Sequence, residues 1–309
     1  MKMVTKFMIL SLLSLFLLIN SCDNKYETKN PEDVETMNSG KLDIVIDSQY
    51  SPLMDSTLKM YQKFYTKVKL NYSYVNAREA MSNLFNGKNR AVVVGRDYLK
   101  DEDSILNVYN IKSHLKMKIS DDALVFFANP SFPTDTINKE MLEKYFVDKK
   151  VNFSQVGTAN ITPEFVISDN YSSTYQNFLK YITKNEKLQK NLFLSENIDK
   201  VKEKVMANEN SIGIGYLSQL ALDNRFKMLK MGYLDSTGLQ IRPKTVHQSN
   251  VLRGYYPYKF PIYVYLLENR QNLPFWFASF LAKETQVQKY FLDKGIVPGF
   301  ANITLKFEE

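Results

Sequence analysis

Lys41-Leu42-Asp43-Ile44-Val45-Ile46-Asp47 runs directly into Ser48-Gln49-Tyr50-Ser51-Pro52, and this junction decides the fold class. The first seven residues read as a strand ending in a polar loop. Ser51 suits a helix N-cap and Pro52 the first helical position, where a missing N–H costs nothing. Met54, Leu58, Tyr61 and Tyr65 then recur at helical spacing and supply an inward face. Val68 to Tyr74 reads as a second strand. Asn76-Ala77-Arg78-Glu79 is a capping-box pattern opening a helix that Gly87 closes. Ala91-Val92-Val93-Val94-Gly95 is a short continuous apolar run, the pattern of a parallel strand buried on both faces. Strand, helix, strand, helix, strand is the order of a doubly wound α/β unit.

The alternation resumes further on. Asp122 to Asn129 reads as another buried strand, with a crossover between two lobes just before it. Lys139 to Phe146 is expected to be helical, Glu164 to Asp169 a strand, and Thr174 to Tyr181 a helix. Ile198 to Met206 reads as a surface helix and Ser211 to Tyr216 as a short glycine-containing strand. The chain is expected to return to the first lobe through 235–262, with Tyr263 to Leu267 a strand and a long aromatic-rich helix from about Pro274. The expected organisation is therefore 41–118 for the first part of lobe 1, 119–234 for lobe 2, and 235–309 for the return.

What precedes residue 41 has a different character. Lys2 and Lys6 give a basic start, and Phe7 to Ile19 is an apolar run without charge, read as the hydrophobic part of a signal peptide. It ends in Leu18-Ile19-Asn20-Ser21-Cys22, which contains the only cysteine of the chain. That segment resembles the cleavage and lipidation box of bacterial lipoproteins, which implies a signal peptide over 1–21 and an acylated Cys22. Residues 22–40 read as a polar, aperiodic tether. One cysteine cannot form an internal disulfide, so the fold rests on its core. The remaining body of roughly 270 residues is of the size at which one core tends to divide into two. A composition that is 44% hydrophobic, with 20 Tyr and 20 Phe, is ample for it.

The net charge of +7 falls to +5 once Lys2 and Lys6 leave with the signal. This is compatible with an anionic ligand or surface, although bulk charge speaks to steering rather than to a site. The lysines are scattered and form no Arg-rich stripe, which argues against nucleic acid.

Candidate binding residues lie where a strand gives way to a helix, because free backbone N–H groups and the helix dipole there favour negative charge. In Asp169-Asn170-Tyr171-Ser172-Ser173-Thr174, a capping box of Ser173 with Gln176 would present first-turn amides beside three hydroxyls. The same residues serve equally as a plain helix cap. Ser48 and Ser51, with Tyr50 between them, offer a similar loop for the opposite wall. Arg96, directly after a buried strand, carries a planar fork suited to carboxylate or phosphate, or to a salt bridge. Arg78, Asn170 and Arg253 are additional candidates. Catalysis finds little support. His114 and His247 have no metal-ligand companions at helical spacing, and no nucleophile elbow, Walker loop or dinucleotide fingerprint occurs. Asp121-Asp122 reads as capping or surface duty before acid–base work. No enzyme activity, metal or cofactor is expected.

These marks together resemble the phosphate-binding proteins of ABC importers, within the type II periplasmic binding proteins, and most of all their PstS-like lipoprotein branch seen in Bacteroidota. The resemblance covers about residues 40–300. It is carried by Gly40 to Ile44 running into Ser51-Pro52-Leu53, Leu84-Phe85-Asn86-Gly87, Val93-Val94-Gly95-Arg96, and Asp122-Ala123-Leu124 through Asn129-Pro130. The later marks are Ser172-Ser173-Thr174, Ile212 to Tyr216, Tyr256-Pro257-Tyr258, and Lys294 to Pro298. It implies two doubly wound lobes joined by crossing strands, with an anion buried between the Ser48–Ser51 and Ser172–Thr174 loops.

Four departures bear on the ligand. Ser173 stands where the family has Gly, and Ser168 where it has an Arg four residues before the serine. Gly95-Arg96 replaces a Ser-Asp pair, and Val75-Asn76-Ala77-Arg78 replaces a Gly-Ser-rich loop. The expectation is a monomeric, extracytoplasmic, lipid-anchored solute-binding protein that takes a small anion, phosphate first, for an ABC permease. The alternative is an envelope lipoprotein with a sensor, adhesion or structural role on the same scaffold. That alternative requires a cleft filled by the protein's own side chains, Tyr171 or Tyr50 among them.

Overall fold

The computed structural model describes residues 35–157 and 159–299, which form a single compact unit. Cys22, the signal segment and most of the tether lie outside the described residues.

The opening stretch folds as the alternation demands. Strand β1 (Ser39–Asp47) leads to α1 (Ser51–Phe64), β2 (Lys67–Val75), α2 (Ala77–Phe85), β3 (Ala91–Val94) and α3 (Lys100–Val108). β1 lies parallel between β2 and β3 and is buried from Ile44 to its end, where the apolar run gives way to buried Asp47. All four residues of β3 are buried, as its unbroken apolar run requires. Asn76 caps α2 by accepting the Glu79 N–H at 2.9 Å, and Gly87 takes φ +66° just past the helix end, a conformation Gly adopts without a Cβ penalty.

The crossing element is β4 (Leu115–Ala128), longer than the apolar run suggested because its first half carries alternating lysines. Next come β5 (Thr136–Asn138), α4 (Lys139–Val147), α5 (Phe153–Val156), β6 (Glu164–Ser168), α6 (Ser173–Tyr181), β7 (Leu192–Ser195) and α7 (Ile198–Ala207). They are followed by β8 (Ser211–Tyr216), α8 (Leu217–Leu220), β9 (Lys227–Met228), β10 (Lys230–Leu234), β11 (Gln240–Lys244) and α9 (Gln248–Leu252). The chain ends with β12 (Lys259–Leu266), α10 (Leu273–Lys283), α11 (Thr285–Asp293) and β13 (Val297–Pro298). The aromatic helix expected from Pro274 is two helices. Glu284 sits extended between them (φ −64°, ψ 124°) and caps the second.

The main sheet runs β2-β1-β3-β12-β4-β8-β6-β7. β4 joins two groups of strands. Its first half pairs antiparallel with β12, and Leu124–Ala128 pairs antiparallel with β8. β12 carries the chain back beside β3. The result is two doubly wound α/β lobes linked by crossing strands, as the sequence implied. The expected 118/119 boundary falls within β4, a strand that belongs to both lobes. A smaller sheet, β11-β10-β5, flanks the second lobe. Among the described residues no helix is long and apolar enough to cross a membrane.

Candidate functional site

Two helix starts face each other where the lobes meet, and each begins one step away from the sequence expectation. Asp47 caps a short 3-10 turn, Ser48–Tyr50, by accepting the Gln49 N–H at 3.2 Å. Ser51 is therefore the first residue of α1 rather than its N-cap, and its hydroxyl donates to the Ser48 carbonyl at 3.0 Å. On the other lobe the N-cap is Ser172, not Ser173. Its hydroxyl oxygen accepts from the Tyr175 N–H at 3.2 Å and its hydroxyl donates to the Asp169 carbonyl at 2.6 Å. Ser173 is helical, and among the described residues the non-glycine positions with positive φ are Asn110, Lys184 and Asn185. A Cβ at the family's glycine position therefore costs no backbone strain.

Between these starts the space is occupied by side chains of the protein. Gln49 is 4% exposed, and its amide oxygen accepts from the Thr174 hydroxyl at 3.1 Å and from Gln219 Nε2 at 3.2 Å, with the Ser168 hydroxyl at 3.5 Å. Gln219 Nε2 also donates to the Gln49 carbonyl at 3.0 Å. Asn177 Nδ2 reaches across to the Gly95 carbonyl at 2.7 Å and donates to the Tyr216 hydroxyl at 2.9 Å, which donates in turn to Ser173 Oγ at 2.9 Å. Tyr50 is fully buried and stacks on Tyr216 with centroids 5.5 Å apart. Its phenol lies over Gly95, where a Cβ would come within 1.9 Å of the oxygen. That close approach requires glycine. Ser172, Ser173 and Thr174 are all buried, and Thr174 bonds across to Gln49.

Two buried carboxyls, Asp47 and Asp122, dominate the electrostatics of the site. Burial pushes the Asp47 carboxyl up to about 6, opposed by the Ser173 hydroxyl and the Gln49 N–H. Asp122, also fully buried, is raised to about 6 by burial against the hydroxyl of Ser218 and the N–H groups of Ala123, Ser218 and Leu217. Burial likewise holds the Tyr50 and Tyr216 phenols well above their ordinary value.

The predicted cations sit elsewhere. Arg96 is 2% exposed, but its guanidinium is held within lobe 1 by a bidentate pair with buried Glu102, at 2.6 and 2.7 Å, and by the Asp97 carbonyl at 2.9 Å. Glu102 also takes the Leu99 N–H at 2.9 Å, while Arg96 Nε is buried without a hydrogen-bond partner. Arg78 is part-exposed and ion-paired with Asp101, Asn170 is exposed, and Arg253 ends α9 on the surface. Tyr171 is 57% exposed and does not fill the cleft. Ser48 and Ser51 line a groove of about 420 Å³ at the cleft mouth, with Asn197, Lys202 and Ser218 opposite. Sequence reading missed Gln49, Asn177, Tyr216 and Gln219. The i, i+3 spacing of Thr174 and Asn177 on one helix face was the available signal for Asn177.

A two-lobed α/β body with opposed helix starts in the interlobe cleft is the architecture of a type II periplasmic binding protein. The profile of the PBP superfamily domain matches residues 32–285, and the chain belongs to that superfamily. Solved structures agree on the fold. A Clostridium perfringens protein, assigned as the substrate-binding component of a phosphate ABC transporter and solved with phosphate bound, aligns with TM-score 0.67 at 16% identity. The alignment covers 84% of this chain and 99% of that one. An ABC-type phosphate transport receptor from Vibrio cholerae aligns at 0.64 and 16% identity, covering 84% and 100%. PstS from Borrelia burgdorferi aligns at 0.55 and 19% identity, covering 84% and 98%. No curated protein matches the chain in sequence.

Proposed function

We propose that this protein is an extracytoplasmic solute-binding lipoprotein, anchored through Cys22, that captures a small anion between its lobes for an ABC importer. Phosphate is the first candidate, and no covalent chemistry is involved. One observation carries the reading: donors from one lobe, Thr174, Gln219 and Ser168, converge on a single oxygen supplied by the other lobe, that of Gln49. A convergent donor set around one acceptor oxygen is what an oxyanion needs. In this reading Gln49 holds the place of a ligand oxygen and swings out when the ligand enters from the groove beside it. The phosphate-named relatives of the same fold support the choice of ligand.

Two features constrain that ligand. The buried carboxyl of Asp47 disfavours a fully ionised anion and accepts a hydrogen bond from a protonated one. Arg96 is committed to Glu102, so binding relies on neutral donors and helix starts. Calorimetry with phosphate, sulfate and small carboxylates tests the reading, with enthalpic binding of phosphate and weaker binding of sulfate expected. Absence of binding by any of them would sink it.

A second reading has an observation of its own. Tyr50, Gln49, Asn177 and Tyr216 fill the cleft almost without exposure. This is the arrangement expected of an envelope protein that keeps the scaffold permanently closed and works through its surface. Unchanged hydrodynamic size and thermal midpoint at saturating phosphate would favour it.

A further inference from the structure

We propose that the β10–β11 hairpin, together with the end of α9, forms a docking face for an anionic lipid bilayer. The charge of the chain is unevenly spread. From residue 227 to 259, Lys227, Lys230, Arg242, Lys244, Arg253 and Lys259 stand against one acid, Asp235. Asp235 is turned inward on its own loop, accepting from the N–H and hydroxyl of Thr237 and from the Leu239 N–H. Lys227 is spent on Asp135, whereas Arg242 and Lys244 project from the exposed strand β11. Of the acids behind the hairpin, Glu143 pairs with Lys139 and Lys184, and Glu140 is turned under it, one oxygen accepting the Leu234 N–H and the other buried without a partner.

Apolar side chains crown the same face. Leu239 is 63% exposed and Leu234 47%, both beside the hairpin turn, and Leu252 and Tyr255 are exposed at the end of α9. The two elements are tied together, since the Tyr233 hydroxyl donates to the Gly254 carbonyl at 2.8 Å. A soluble polyanion would need the cations alone. Leucines at a projecting tip beside arginine and lysine fit a headgroup layer, where apolar burial and attraction to anionic lipid act together. The face lies apart from the interlobe cleft, so docking does not depend on ligand binding there.

The test uses protein beginning at residue 23, which lacks the proposed lipid anchor. It is floated with vesicles of phosphatidylcholine alone and of a phosphatidylcholine–phosphatidylglycerol mixture. Binding is expected only to the mixture, and it should weaken as salt rises. Each surface cation contributes about a 5-fold gain in partition, so Arg242→Glu with Lys244→Glu should reduce binding by at least about 25-fold. Leu234→Ser with Leu239→Ser should reduce it as well. Both pairs are exposed, so unchanged thermal midpoints would show that the variants are folded. Failure of the wild type to float with the mixture overturns the proposal, as does indifference to the charge reversal. Sensitivity to the charges without sensitivity to the leucines also overturns it, by assigning the face to polyanions in general. Phosphate calorimetry on the same proteins keeps this outcome separate from the interlobe reading.

Discussion

Replacing Gln49 by Ala separates a plug from a ligand contact. The substitution removes two well-formed hydrogen bonds across the lobes, from Thr174 at 3.1 Å and from Gln219 at 3.2 Å, and the longer approach of Ser168. The Gln219 bond to the backbone carbonyl of residue 49 stays. Each lost bond contributes about 1 kcal/mol net, so the variant should be less stable by about 2 kcal/mol. The freed donors need not stay orphaned, because the groove beside residue 49 admits water.

The same 2 kcal/mol is what an incoming oxyanion must displace in the wild type. Without Gln49, phosphate should therefore bind about 30-fold more tightly, even though the free protein has become less stable. Thermal unfolding and titration calorimetry on the two proteins read both quantities. If affinity falls or stays the same in the variant, Gln49 does not compete with the ligand and the displacement reasoning is wrong.

Arg96→Ala should cost about 3–5 kcal/mol of stability in chemical denaturation, because it strands the buried carboxylate of Glu102. Phosphate affinity of the folded fraction should hardly change, and a selective loss of binding would put Arg96 back in the site. Asp47 and Asp122 have folded-state pKa values raised to about 6, so the folded protein binds their protons more tightly than the unfolded chain. Stability should therefore decline as pH climbs from about 4 through 6 and level off above that, by about 3 kcal/mol per group. Asp47→Asn should stabilise the protein at pH 7.5 and remove about half of that slope; a flat profile between pH 4 and 6 in the wild type would refute the assignment. Gly95→Ala would force a Cβ onto the Tyr50 phenol. It should cost about 1–3 kcal/mol and loosen the Tyr50–Tyr216 stack, visible as ultraviolet difference absorbance of buried tyrosine.

The fold was legible because two levels of pattern agreed. Ala91 to Val94 is apolar throughout and lies buried in a parallel pair, and the Asn76–Glu79 cap stands where its spacing placed it. The first half of β4 was hidden because Lys116 and Lys118 alternate with apolar residues, which weakens an apolar run without spoiling a strand. The small sheet escaped notice because β5, β10 and β11 are three to five residues long, and β5 pairs with β10 across more than ninety residues. At the site, loops could be located from strand–helix junctions, but partners could not. Nothing local says that Arg96 turns inward to Glu102, six residues on, rather than outward to a ligand. Nor does local pattern distinguish Gln49, which crosses the cleft, from Ser48, which faces the groove. The Gln49 choice is made by Thr174 and Gln219, more than a hundred residues away.

Closure itself separates the two functional readings. A ligand shifts an open–closed equilibrium only by the contacts it adds to the closed state. Here the closed state already holds five hydrogen bonds of 3.3 Å or shorter across the cleft: Thr174 to Gln49, two from Gln219 to Gln49, Asn177 to Gly95, and the Arg78 N–H to the Tyr171 carbonyl. At about 1 kcal/mol each they approach the roughly 5.5 kcal/mol that carries a two-state equilibrium from 1:99 to 99:1. A guest can therefore govern closure only by replacing these bonds. Gln49→Ala combined with Asn177→Ala removes three of them and should expand the protein in small-angle X-ray scattering, with phosphate restoring the compact form. A variant that expands and stays expanded with phosphate present would mean that the lobes are latched by their own side chains and by nothing else.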